Sequence, residues 1–425
     1  MVLFRVRNST FFHNVATLFS GKVFAALISL ALVPIVARLF DPADFGVAAV
    51  FLAIIVTLGS LSTACFDMAI VLPKSDVEAN KITKLSLMVL GSFVLFLLFF
   101  LIIVNLSDIV VPFLDQIGVY SWLLPVAIFL FGIISILENW LTRKKAYSLI
   151  ATSDVAQSAV MPVTRIGLGL LYGSSVSALI TGYLLGAFSK ISYMLKSILS
   201  KKELMVKNKQ IEIKELIYEY SDFPLYSAPS RFLRSLSKTL LVLMLGYMFS
   251  PVIAGFYAMA DRLVRMPTEA ASMSVRRVYI QKVSEYKNEN ISLETIFVKI
   301  TLVLLIVGLL PFSILWFNGE EIVGFVLGER WLKAGHFSEI LAPWFYSIWV
   351  VIPSSALFVV YRRQKLWLSI QVFLSIMLAG VCLIAYLLKL NTDQTLQWFV
   401  VTSVIVNIFV IYIVYKLVLN ESTDL

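Results

Sequence analysis

The chain has 425 residues, 60% of them hydrophobic and only 14% charged, with a net charge of +9. Soluble domains are about half apolar and about a quarter charged, so this composition excludes an ordinary soluble protein and predicts a chain lying mostly within a bilayer. The cysteines, Cys65 and Cys382, both fall in apolar stretches predicted to be helical. With only two histidines, His13 and His336, there is no basis for a disulfide framework or a histidine-based metal site.

In chain order, the apolar runs predict twelve transmembrane helices near 14–37, 45–66, 84–106, 120–142, 153–172, 176–198, 223–248, 252–275, 294–317, 338–361, 366–388 and 396–419. Each run approximates the ~17–25 residues a helix needs to cross the hydrocarbon core. Arg5 and Arg7 precede the first run. That run is too long for a signal-peptide core and no small-residue cleavage site follows, so an uncleaved first helix is expected. The eighth run is the most polar, because it holds Asp261, Arg262, Arg265 and Glu269.

The stretch 22–46, KVFAALISLALVPIVARLFDPADFG, has a second copy 209 residues downstream. Phe40-Asp41-Pro42 aligns with Phe249-Ser250-Pro251, Gly46 falls on Gly255, and Lys22 falls on Arg231. One register shared by these features predicts two similar halves. The polar segment 201–222, KKELMVKNKQIEIKELIYEYSD, divides them as a solvated linker on the membrane surface. The expected organisation is an N-terminal six-helix lobe over 1–200, a cytoplasmic linker over 201–222 and a C-terminal six-helix lobe over 223–425. Six is even, so both halves enter from one face. The fold class is therefore an all-α polytopic membrane protein: two six-helix bundles related by a parallel repeat, with a central cavity.

Loop charges set the orientation. The N-terminus, the loops after even-numbered helices and the end of the chain hold 22 of the 35 basic residues, and the opposite loops hold only Arg38, Arg330, Lys333 and Lys389. The positive-inside rule then puts both termini in the cytoplasm.

The other nine basic residues fall inside the spans: Lys22, Arg165, Lys190, Arg231, Arg234, Lys238, Arg262, Arg265 and Lys299. Each costs roughly 2.5–3.5 kcal/mol at a helix centre, so each must snorkel, pair or line a wet cavity. Lys299 is near a span end and is expected to snorkel. Lys190 divides evenly between a structural and a functional reading. Glu138 is expected to pair with Arg143, and Asp154, after Thr152 and Ser153, reads as a helix start.

Arg231, Arg234 and Lys238 are spaced i, i+3, i+7 and share one helix face. Their helix contains no acid beyond Asp222 at its start, so local pairing is not expected to neutralise them. Arg165 follows Pro162, whose kink frees carbonyls that a cavity can hydrate. Asp261–Arg265 and Arg265–Glu269 are i, i+4 pairs that can satisfy themselves. The candidate substrate-binding residues are therefore Lys22, Arg165, Arg231, Arg234, Lys238, Arg262 and Arg265. Asp261 and Glu269 are the candidates for ion coupling. A cationic cavity implies an anionic ligand, and arginine favours phosphate through its two-point fork. No phosphate-loop motif occurs, so no ATPase, cofactor or nucleic-acid partner is expected of this chain.

The run Pro34-x-x-Ala37-Arg38-x-x-x-Pro42-x-x-Phe45-Gly46, after Gly21-Lys22, resembles the start of polysaccharide and O-antigen flippases of the Wzx type. These belong to the multidrug/oligosaccharidyl-lipid/polysaccharide exporter superfamily. Gly328-Glu329-Arg330-Trp331-x-x-Ala334-Gly335 is also similar to that family. The resemblance implies a bacterial inner-membrane protein that moves undecaprenyl-diphosphate-linked oligosaccharides between leaflets by alternating access. It implies a polyprenyl-diphosphate-linked glycan and membrane lipid as partners, alongside other polysaccharide-assembly proteins. In the second copy Gly246 and Tyr247 replace Ala37 and Arg38, so any role of Arg38 is one-sided. Two alternatives stand beside this reading. A multidrug extrusion carrier shares the fold but suits an acidic cavity. A glycan polymerase or ligase needs a larger outer loop than 318–337.

Overall fold

A computed structural model describes residues 2–107, 109–200, 213–288, 293–361 and 363–423. Among these it contains twelve long helices: α1 (Val2–Leu39), α2 (Pro42–Gly59), α3 (Asp76–Leu106), α4 (Leu124–Arg143), α5 (Tyr147–Tyr172), α6 (Val176–Ser200), α7 (Ala228–Met248), α8 (Pro251–Asn288), α9 (Leu293–Leu327), α10 (Leu332–Val350), α11 (Gln364–Leu387) and α12 (Thr392–Thr423). Each expected span has its helix, and no strand occurs among the described residues. Eight of these helices are long and apolar enough to cross a membrane by composition alone, so the chain is a multi-pass membrane protein. The other four, α5, α7, α8 and α10, are the ones carrying Arg165, the basic stripe, the Asp261–Glu269 segment and His336 with Glu339. Broad apolar faces point outward, including Phe96 and Phe99 on α3 and Leu310 and Phe325 on α9. Such surfaces are stable against lipid and not against water.

Several boundaries differ from the sequence expectation. α2 stops at Gly59 rather than near 66, so Cys65 lies in a turn and not in a helix. The tenth span starts earlier and is broken: α10 ends at Val350, and a separate helix covers Ile352–Val360. Most of the linker lies outside the described residues. Its end forms a short helix, Ile213–Glu219. Beyond it, Tyr220 Oη donates to Glu78 Oε1 at 2.8 Å. Burial first, and the Glu78 carboxylate second, push the Tyr220 hydroxyl well above its usual range, so it remains a donor.

The chain packs as two compact units, 1–255 and 256–425. In the first, Val50, Phe51, Ile55, Leu124 and Ile128 form one core, and Ile82, Trp140, Met194 and Leu216 form another. In the second, Phe297, Leu357, Phe358, Val410 and Val414 pack together. Helix α7 belongs to the first unit, whereas the expected lobes assign it to the second half. It runs antiparallel along α2: Thr57 and Thr239 hydroxyls bond at 2.7 Å, and Gly246 lies over Val50.

The repeated motif ends this seam. Phe40 is fully buried against Val36, Ala48 and Leu179, and it meets Phe45 edge-on. Pro42 opens α2, where a missing N–H costs nothing. A Cβ on Gly46 would collide with the Pro251 carbonyl, and one on Gly255 would collide with the Pro42 carbonyl. The two copies therefore meet reciprocally, each glycine receiving the other copy's proline carbonyl.

Candidate functional site

The site begins with a strained turn. After α2, Ala64 (φ 46°) and Cys65 (φ 61°) both adopt the left-handed conformation, which L-residues rarely enter. This turn delivers the short helix Phe66–Ala69 and buries Asp67 completely. A carboxylate in that position requires partners, because an unpaired buried charge is very costly. Thr63 Oγ1 donates to Oδ1 at 2.6 Å, Ser135 Oγ to Oδ2 at 2.6 Å and Asn139 Nδ2 to Oδ2 at 3.3 Å. Arg231 Nη1 from α7 reaches both oxygens, at 3.2 and 3.1 Å, while its Nη2 donates to Ser135 Oγ at 3.1 Å.

This corrects one expectation: an acid does lie within reach of the basic stripe, and it neutralises Arg231. Asp67 was missed because 164 residues separate it from Arg231. Its only sequence signal is a single carboxylate in the apolar run Phe66-Asp67-Met68-Ala69-Ile70-Val71-Leu72.

Arg234 and Lys238 stand differently. Both are exposed, rotated away from the α2 seam, and neither has a hydrogen bond or ion pair among the described residues. Lys22 is likewise exposed on α1. Arg165 does not line an open space. It is buried, and its Nε donates to the Leu179 carbonyl of α6 at 3.1 Å.

In the second unit, Arg265 is gripped by Asp261, with Nε–Oδ2 at 2.9 Å and Nη2–Oδ1 at 2.5 Å, and Glu269 lies 3.9 Å away. Its guanidinium also packs over Trp344 and Phe345, 5.4 Å from each ring centre. The i, i+4 pairs thus form as the spacing predicts. Arg262, one residue after Asp261, is half-buried and is not without a partner.

Two further placements differ from expectation. Glu138 pairs with Lys190 rather than Arg143, and Arg143 instead holds Asp76 at 3.0 Å. Asp154 lies two turns inside α5, not at its start. Lys190 is buried between them, 2.5 Å from Glu138 Oε1 and 2.5 Å from Asp154 Oδ1. The physical reason is shared: an internal cation in an apolar bundle recruits whatever carboxylates neighbouring helices offer.

These features define a class: a twelve-helix membrane protein with a basic helix packed along its second helix. The chain belongs to the polysaccharide biosynthesis protein family, which matches residues 35–336. Solved structures share the fold. The lipid II flippase MurJ in an inward closed conformation covers 96% of this chain and 90% of its own, with TM-score 0.73 and 14% identity. An inward-facing multidrug resistance MATE family transporter of the MOP superfamily covers 96% and 94%, with TM-score 0.61 and 14% identity. A point mutant of the Vibrio cholerae MATE transporter VcmN covers 97% and 98%, with TM-score 0.59 and 12% identity. No curated protein matches the chain in sequence. The resemblance read from the proline-glycine motifs holds for family and fold.

Proposed function

We propose that the protein is a flippase for a polyprenyl-diphosphate-linked oligosaccharide, acting by alternating access in a bacterial inner membrane with both termini cytoplasmic. The observation that carries this reading is the pair Arg234 and Lys238. They are exposed, cationic and unneutralised among the described residues, on a helix whose third basic residue is already neutralised by Asp67. Charges left open inside a membrane helix are functional by default. In this reading Arg234 and Lys238 hold the diphosphate, with Lys22 adding positive field. Arg231 and Arg165 position helices instead. Asp261 and Glu269 remain the acids for coupling to an ion gradient. The halves 1–200 and 223–425, joined by 201–222, are part of the same proposal, and the reciprocal Gly46–Gly255 contact supports them.

The test is surface glycan made by variants in a deletion strain, normalised to membrane level. Arg234→Gln should lower glycan per molecule at normal accumulation. Arg234→Lys should keep part of it, because charge survives without the fork. Arg234→Glu should be worst. Full glycan from Arg234→Glu would refute the assignment. Drug resistance restored by the chain, with no glycan defect on deletion, would favour the multidrug reading.

A further inference from the structure

Inside α9 the helix kinks, and the backbone leaves helical geometry at Asn318 (φ −135°, ψ 19°). Two glycines then let α9 and α10 touch main chain to main chain. A Cβ on Gly319 would lie 2.7 Å from Glu339 Cγ and 3.0 Å from the Gly335 carbonyl, and one on Gly335 would lie 2.5 Å from Glu320 Cα. This close approach brings Glu320, His336 and Glu339 together, with one ligand-capable atom of each within 4.8 Å of the others. The turn between α11 and α12 meets the same place through Asp393 in the first turn of α12.

The hydrogen bonds assign roles to these groups. His336 Nε2 lies 3.1 Å from Asp393 Oδ2, so the carboxylate fixes the ring and takes that N–H. The ring's other nitrogen, Nδ1, faces Glu339 Oε2 at 3.7 Å. The Glu320 backbone N–H donates to Glu339 Oε1 at 2.9 Å and holds that carboxylate with its second oxygen toward the imidazole. A carboxylate behind a histidine, and a backbone donor behind a glutamate, are how proteins orient metal ligands. Ligand atoms about 2.1 Å from a tetrahedral ion sit about 3.4 Å apart, close to the His336–Glu339 separation. The three carboxylates also lack a cationic partner: no lysine or arginine pairs with any of them among the described residues. Asp393 Oδ1 is buried with no hydrogen-bond partner.

We propose that this cluster binds one divalent transition cation of the zinc or manganese kind. His336 Nδ1, Glu339 and Glu320 are the ligands, and Asp393 is a positioning residue. An imidazole among carboxylates selects these ions over magnesium or calcium. The ion would clamp the α9–α10 turn and is independent of the flippase reading. The site is mostly carboxylate, which is why counting histidines does not reveal it.

The test uses the full chain purified in detergent and stripped with a chelator. Zinc binding is followed by equilibrium dialysis, thermal melting and cobalt(II) absorption. Wild type should take up one equivalent, melt higher with zinc and give a cobalt ligand-field band. His336→Asn and Glu339→Gln should each weaken binding at least tenfold and abolish the melting shift. Asp393→Asn should weaken it about tenfold or more through the ring. Glu320→Gln, at an exposed position, should lower affinity without lowering metal-free stability. His13→Asn should change nothing. No zinc uptake by the wild type, or uptake unaltered in His336→Asn, Glu339→Gln and Glu320→Gln alike, would overturn the proposal. The second outcome would leave the cluster as a histidine–carboxylate network alone.

Discussion

At the residue scale, Arg231 and Arg234 lie three positions apart and have different work. Arg231 is committed to a carboxylate of zero exposure, while Arg234 is open. Removing one partner of a buried pair costs about 3–5 kcal/mol, because the other charge is stranded. The Arg231 side chain is 31% exposed, and Thr63, Ser135 and Asn139 still serve Asp67. Arg231→Met should therefore sit at or below the lower end of that range and lower the melting temperature of the detergent-purified protein. Adding Asp67→Asn should recover part of the loss, since no stranded charge remains. Arg231→Gln should reduce glycan through reduced membrane level, whereas Arg234→Gln reduces it per molecule. Equal melting temperatures for wild type and Arg231→Met would show that the pair contributes nothing to the fold. The stripe itself was legible from i, i+3, i+7 spacing. Its division into a paired and an open part was not, because the acid that decides it comes from the far side of four helices in sequence.

At the element scale, hydropathy located all twelve helices but not their ends. A window of transfer free energies registers Ala64 and Cys65 as apolar, and it cannot register that both are left-handed. The expected second span therefore overran α2 by a full turn and more, hiding the segment that presents Asp67. The α2–α7 seam depends instead on close backbone approach. Gly46→Ala would press a methyl group on the Pro251 carbonyl, which as main chain cannot rotate away. Overpacking of this kind costs typically about 1–3 kcal/mol, and Gly255→Ala should match it. Gly91→Ala, on α3 with nothing within 4 Å, should be neutral or stabilising by up to about 1 kcal/mol. Melting temperatures of the three variants check the contrast. Similar values for all three would mean that the seam yields.

At the scale of the whole molecule, the charge bias and the even helix count make one prediction about topology. Single cysteines at Lys84 and Arg363, both exposed, should be shielded from an impermeant thiol reagent in intact cells, and cysteines at Asp115 and Glu320 should react. Lys81 is a poor probe because it is buried, and Lys209 lies outside the described residues. The native Cys65 and Cys382 are buried and give little background. Labelling of Arg363 from outside would reverse the assigned orientation. The meeting of His336 with Asp393 puts the α9–α10 and α11–α12 turns on one face, as alternation requires in either orientation.

The reciprocal contact of the two motif copies has a consequence for ancestry. Each glycine accepts the proline carbonyl of the other copy, as a two-fold axis demands of identical surfaces. A six-helix ancestor carrying Pro-x-x-x-Gly once would already own the surface needed to bind its twin. Gene duplication and fusion would then preserve an existing dimer contact and invent none. The copies differ at Asp41 and Ser250 and at Arg38 and Tyr247, and the atoms nearest each glycine in that contact are main-chain atoms.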